Sequence, residues 1–277
     1  MILINGENKK TVAADDRGLM YGDGIFETIE ICRGMAVLLQ QHIDRLQSGC
    51  ARLGLVMPAV DLLKNEIRQL CEHQNKGIVK ITLTRGSGGR GYRPSNNPEP
   101  LRILSFHDWP DIPDEYYTNG INLYDCKTDI SVSKSLSGLK TLCRLDQVMA
   151  QREWPETEFA EGLMSDSAGH VIEGTKSNLF VIVNGDLYTP SLKMGGIKGI
   201  MREKVIDLAQ QSGLPVHKIE MKADFVMQAD ELFVCNSIIH IWPVRQYAKK
   251  EYGVGKITGQ LMTLLASSLD QDLNGND

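Results

Sequence analysis

GLKTLCRLDQVM (Gly138–Met149) sets one lysine, Lys140, in front of residues that repeat at helical spacing. Thr141 can cap a helix there, its hydroxyl accepting from a first-turn N–H. Leu142, Leu145 and Val148/Met149 then share one face, so the spacing predicts a helix beginning at Thr141 with a buried stripe. Lys140 lies outside that stripe, after the flexible run Ser135–Gly138. It is either a solvated charge, as most lysines are, or a group aimed at a ligand.

Downstream, DSAGHVIEGTKSNLF (Asp166–Phe180) puts Glu173 before a polar Gly-Thr-Lys-Ser run and an apolar strand candidate. A carboxylate there is a solvated turn residue or, if buried, needs a cationic or N–H partner. Two apolar runs around Asn184-Gly185-Asp186 predict a hairpin over 178–190. GGIKGIMREKVIDLAQQSG (Gly195–Gly213) predicts a helix with glycines in front and Gly213 as its stop. The first N–H groups of a helix lack internal partners and suit a phosphate, although an ordinary glycine-rich turn reads the same way. The spacing is neither a Walker A loop nor G-x-G-x-x-G. ELFVCN (Glu231–Asn236) reads as a buried strand, 259–269 as a final helix, and the closing DQDLNGND as frayed.

Upstream, Met1–Ile4 is a short apolar strand candidate before an Asn5-Gly6 turn, and Ile25–Cys32 alternates as a strand after Gly22 and Gly24. Helical spacing follows at Leu39, Ile43, Leu46 and Cys50, and again at Val60, Leu63, Ile67 and Leu70. Gly77–Gly86 and Arg102–Trp109 read as strands. Pro110 and Pro113, among acidic residues, mark a linker. Strands and helices in this order predict an α+β structure of two domains: a smaller N-terminal one over 1–112 and a larger C-terminal one over 113–277 that carries Lys140.

The 277 residues are 42% hydrophobic and 23% charged, ample for a sizeable core, and the formal charge of −5 with scattered basic residues argues against a nucleic-acid partner. The six cysteines form no C-x-x-C pair, and the histidines show no metal-ligand spacing, so no metal is expected. With no secretory leader and no long apolar run, the expectation is a soluble, cytoplasmic protein with reduced thiols and no membrane partner. A Ser-His-Asp site lacks its G-x-S-x-G elbow. RGSGGRGYRP (Arg85–Pro94) concentrates arginines in a glycine-rich loop of an otherwise acidic chain. Such a loop is a mobile surface segment or a site for an anionic small molecule, because guanidinium pairs bidentately with carboxylate.

Taken together, LINGE, DRGLMYGDGIFET, HIDRL, LKTLCRLDQVMA, VIEGTKSNLF, GGIKGIMRE and ADELFVCNSIIHIWPV resemble, in order and spacing, the fold-type IV pyridoxal-phosphate enzymes, of the D-amino-acid aminotransferase-like fold. That resemblance implies a two-domain enzyme with the cofactor between the domains and, by family habit, a homodimer. It implies that Lys140 holds pyridoxal 5'-phosphate covalently and acts as the base, which requires its neutral form. Glu173 is implied to face the pyridine nitrogen and keep it protonated. Arg45, the helix-start residues Gly199, Ile200 and Met201, and also Asn236 and Ser237, are implied to hold the phosphate.

Within that group RGSGGRGYRP, the LKTLxRLDQV pattern and GIMR resemble the aminodeoxychorismate lyases in particular. These enzymes convert 4-amino-4-deoxychorismate to para-aminobenzoate and pyruvate in folate biosynthesis. The resemblance makes Arg90 and Arg93 candidates for the two substrate carboxylates, with Tyr92 beside the ring, and Thr28 a candidate proton donor to the departing enol. Cys143 stands where members of the group often carry asparagine. A branched-chain or D-amino-acid aminotransferase is the rival on the same fold; a non-catalytic anion- or cofactor-binding protein is the rival of another class.

Overall fold

The computed structural model describes residues 1–274. Its chain divides into two compact units: Met1–Pro110 with Leu139–Cys143 and residues 272–274, and Asp111–Gly138 with Arg144–Gln271. The boundary expected after residue 112 falls after Pro110. Assignment of Lys140 to the C-terminal domain is corrected, because its segment pairs with a strand of the N-terminal unit. Thr141 bridges Ile25, the Phe26 N–H donates to Lys140 O at 3.0 Å, and the Leu142 N–H donates to Gly24 O at 3.0 Å.

Among the described residues the N-terminal unit is built from β1 (Ile2–Ile4), β2 (Glu7–Asn8), α1 (Arg17–Tyr21), β3 (Gly24–Cys32), β4 (Met35–Ala36), α2 (Leu39–Leu53), α3 (Val60–Cys71), β5 (Lys76–Thr84) and β6 (Leu101–His107). The strands form an antiparallel sheet in the order β2-β1-β6-β5-β3-β4. β3 alternates as a half-buried strand must: Ile25, Ile29 and Ile31 pack with Ile43, Leu46 and Cys50 of α2 and Leu63, Ile67 and Leu70 of α3. α2 ends at Gly54, whose φ of 62° is the left-handed cap conformation that glycine adopts without a Cβ clash.

The C-terminal unit contains α4 (Glu115–Thr118), β7 (Ile121–Asp125), α5 (Leu145–Gln151), β8 (Glu161–Ser165), β9 (His170–Gly174), β10 (Asn178–Val183), β11 (Asp186–Pro190), α6 (Ile200–Gln211), β12 (Val216–Ile219), β13 (Met221–Lys222), α7 (Ala223–Val226), β14 (Glu231–Asn236), β15 (His240–Tyr247), β16 (Lys250–Glu251) and α8 (Lys256–Asn274). Its mixed sheet runs β12-β11-β10-β14-β15-β7-β8-β9-β13, with β16 beside β15. β7 lies parallel to both β15 and β8, and β11 parallel to β12. The β10–β11 hairpin turns at Asn184 and Gly185, both at positive φ.

Two expectations change. The helix read from Thr141 begins at Leu145, because residues 141 and 142 are spent on the bridge to β3. Its intended stripe faces outward: Leu145 is 76% exposed and Val148 and Met149 are exposed too, while Gln147 and Ala150 are buried. The terminal helix starts earlier and runs further than 259–269, through Asn274. Glu231 caps its start, accepting from the N–H groups of Ile257 and Thr258 and from the Thr258 hydroxyl, and Leu261, Leu265, Leu269 and Leu273 repeat along a buried face. The fraying expected from residue 270 therefore does not hold through Asn274; residues 275–277 lie outside the described ones. Among the described residues no helix is long and apolar enough to cross a membrane.

Candidate functional site

The site residues of the N-terminal unit gather on β3, α2 and the segment around Lys140. Lys140 is half-buried, and its Nζ lies over the Phe26 ring, 4.2 Å from the centroid. Thr28 shares a strand face with Phe26 by the two-residue period of β3. Glu27 faces the other way, among the buried isoleucines, where a carboxylate is costly unless paired. Its Oε1 and Oε2 accept from Nε and Nη2 of Arg45 at 2.7 and 2.5 Å, and His42 Nδ1 lies 2.7 Å from Oε2. Burial pushes the Glu27 carboxyl up, but the charge and hydrogen bonds of Arg45, with the bond to His42, prevail and hold it at about 2. For His42 burial dominates and lowers its pKa despite the pull of Glu27; the charges of Arg45 and Lys140 act in the same downward direction.

Arg45 is thus a guanidinium fixed by a buried carboxylate. Cys143, three residues after Lys140, packs its Sγ at 3.7 Å from Tyr21 O, so close that a Cβ on Gly22 would stand 2.5 Å from the sulfur.

Arg90, Tyr92 and Arg93 lie on the loop between β5 and β6. All three are exposed, Tyr92 at 88%. Arg90 and Arg93 exchange backbone hydrogen bonds of 3.1 and 3.3 Å, closing a tight turn with Gly91 and Tyr92 at its tip. Among the described residues no acidic side chain pairs with either guanidinium.

In the C-terminal unit Glu173, 3% exposed on β9, accepts from the Ile197 N–H at 2.7 Å. Asn178 Nδ2 lies 3.4 Å from the same carboxylate and donates to Ile197 O at 3.0 Å. The turn joining β9 to β10 is held by Glu161, which is fully buried. Glu161 accepts from the N–H groups of Gly162, Thr175 and Lys176 and from the hydroxyls of Thr175 and Ser177. Gly199 is the cap of α6, with extended backbone and no side chain to bond the first turn, so no capping side-chain oxygen takes up the helix-start amides of Ile200 and Met201, which suits an anion there. Asn236 spends its side chain on structure: Oδ1 accepts from the N–H groups of Ile238 and Ile239, and Nδ2 donates to Lys176 O. The neighbouring Ser237 hydroxyl has no such partner among the described residues.

Glu161, Asn178 and His42 carry much of this geometry without having been singled out by the sequence. A usable signal existed for one part of it: Glu27 stands among isoleucines at a core-facing strand position, which demands a polar partner, and HIDRL supplies His42 and Arg45 at helical spacing.

An amine, a buried carboxylate and uncapped helix-start amides are the groups that a phosphorylated pyridine aldehyde requires, so the residues fit pyridoxal phosphate. The profile of the family described as Amino-transferase class IV matches residues 24–247. An aminodeoxychorismate lyase of Vibrio harveyi is 31% identical over 265 residues, covering 94% of this chain and 98% of its own. A D-alanine aminotransferase of Bacillus licheniformis is 26% identical over 97% of this chain and 96% of its own. The crystal structure of 4-amino-4-deoxychorismate lyase from Pseudomonas aeruginosa superposes with a TM-score of 0.94 at 37% identity, covering 98% of this chain and all of that one. With the family profile spanning most of its length and both units carrying the groups just described, the chain belongs to the class IV aminotransferase family.

Proposed function

We propose that this protein is a pyridoxal-phosphate-dependent lyase that converts 4-amino-4-deoxychorismate to para-aminobenzoate and pyruvate. The observation that carries the reading is the turn at residues 90–93. Two arginines flank it, exposed and with no acidic side chain paired to them among the described residues, in a chain of net charge −5. The substrate has two carboxylates, and guanidinium binds each bidentately. Similarity to the lyases of Vibrio harveyi and Pseudomonas aeruginosa supports the same reading.

The cofactor, when bound, supplies a protonated pyridine ring that accepts electrons from the carbon bearing the substrate's amine. Lys140 carries the cofactor and takes the proton from that carbon. It does so as the neutral amine, the form with a free lone pair. Breaking the neighbouring carbon–oxygen bond releases the enol of pyruvate, and Thr28 donates to the departing oxygen. The ring becomes aromatic, so the reaction needs no oxidant and no keto acid. Glu173 holds the pyridine nitrogen protonated; Arg45, the amides at Gly199, Ile200 and Met201, and Ser237 hold the phosphate, with Asn236 shaping the turn that presents Ser237.

The enzyme acts as a homodimer. Leu19, Met20 and Tyr21 of α1 are exposed beside Tyr92, whose ring meets that of Tyr21 edge-on at 5.6 Å, and an apolar patch of this kind marks an interface. Its compartment is the cytoplasm, in keeping with six free thiols.

Purified protein supplied with pyridoxal phosphate and aminodeoxychorismate, without keto acid, releases para-aminobenzoate and pyruvate in equal amounts. Lys140→Ala lowers that release by about 1000-fold or more. Amino-group exchange with 2-oxoglutarate in place of release would make the enzyme an aminotransferase.

A further inference from the structure

The DRG triplet that opens α1 has no role in the chemistry above, yet its arginine reaches the loop that carries Arg90 and Arg93. Arg17 is 5% exposed. A buried guanidinium is costly unless its donors are satisfied, and each of its three nitrogens has an acceptor. Nε donates to Asp23 Oδ2 at 2.9 Å, Nη1 to Gly91 O at 2.9 Å and Nη2 to Tyr92 O at 3.0 Å. Gly91 and Tyr92 are the tip of the turn flanked by Arg90 and Arg93, so one planar fork holds both tip carbonyls at once. The guanidinium also sits over the Tyr21 ring, 4.9 Å from its centroid, and Tyr21 meets Tyr92 edge-on.

The rest of the triplet braces the same loop. Asp16 caps α1 and accepts from the Thr84 hydroxyl, and the Arg17 N–H donates to Gly86 O. A Cβ on Gly18 would stand 2.3 Å from the Thr84 methyl, so glycine permits the close approach. Asp23 is shared: Arg85, at the start of the loop, donates to both of its oxygens.

We propose that Arg17 is a positioning residue for substrate recognition, fixing the backbone at 91–92 so that Arg90 and Arg93 are presented at a set spacing to two carboxylates. This rests on the reading of Arg90 and Arg93 given under the proposed function. A turn with three glycines at positive φ nearby (Gly88, Gly89 and Gly91) has little stiffness of its own, so the clamp supplies the preorganisation that binding would otherwise have to provide.

The test uses the holoenzyme and the variant Arg17→Lys, which keeps the charge but not the fork; Arg17→Gln takes its place if the lysine variant does not fold. The expected result is a KM for aminodeoxychorismate raised about tenfold, with kcat within about twofold and cofactor content unchanged. Combining it with Arg90→Ala raises KM by less than the product of the two separate effects, because both act through one element, while Arg93 still depends on the clamp. A second readout needs no turnover: limited trypsinolysis after Arg90 is faster in the variant, the Arg93 bond being protected by Pro94. Wild-type KM together with wild-type trypsinolysis would overturn the proposal. If Arg90→Ala and Arg93→Ala both leave KM unchanged, the underlying reading of the loop fails instead, and faster trypsinolysis would show the clamp to be structural only.

Discussion

Two buried carboxylates illustrate what single residues contribute. Glu27 is held at about 2, against an ordinary 4.5, so the folded state binds its proton more weakly than the unfolded chain does. Its stabilising contribution, about 3 kcal/mol, is complete above pH 4.5 and is lost as the pH falls toward 2. His42 works in the same direction from a higher pH, since the unfolded imidazole takes up a proton below about 6.5 and the buried one resists it. Chemical denaturation across pH 7 to 3 should therefore show a loss of stability whose lower part flattens in Glu27→Gln. An unchanged profile in that variant would remove Glu27 from the account. Glu161 makes the complementary case in the other unit. Glu161→Gln points an amide donor at groups that are themselves donors, and should cost about 3–5 kcal/mol in urea unfolding. Lys140, Glu173 and Arg45 stood out as candidates by their motifs; Glu161 did not, nor did Arg17, although it lies within DRGLMYGDGIFET. Their importance lies in acceptors and donors contributed from up to 75 residues away, which periodicity does not report.

Elements were legible where one buried face dictates the pattern. α2, α3, β3, β5 and the β10–β11 hairpin follow from 3.6-residue and two-residue repeats, with ends shifted by a few positions. α5 was misread because Leu142, Leu145 and Val148 match helical spacing without facing a core: the first belongs to an extended segment and the others are exposed. The start of α6 gives the prediction at this scale. Gly199 has ordinary backbone angles of −65° and 137°, which alanine tolerates, but its Cβ would stand 2.1 Å from Asn178 Oδ1. Gly199→Ala should thus push Asn178 away from Ile197 and Glu173. The expected cost is about 1–3 kcal/mol in thermal unfolding, with weakened retention of pyridoxal phosphate on dialysis. Wild-type retention would show that Asn178 can yield without disturbing the helix start.

At the scale of the molecule, the homodimer reading predicts that Leu19→Asp with Met20→Asp shifts the protein from dimer to monomer at micromolar concentration, measured by sedimentation velocity; a double variant that still sediments as a dimer would exclude α1 from the interface. The division into two α+β units was readable from Pro110, Pro113 and the acidic residues around them. Which unit claims Lys140 was not, since a few backbone hydrogen bonds from residues 140–142 to β3 decide it, and no side-chain pattern announces them. That short return has a consequence for how the chain is made. The N-terminal unit is not finished when residue 110 leaves the ribosome; it lacks Leu139–Cys143 until about thirty further residues have been synthesised, a delay of a few seconds at ordinary translation rates. A gene cut at residue 110 would likewise divide the lysine from the strand that pairs with it, so neither half alone would hold the reactive amine in its native setting.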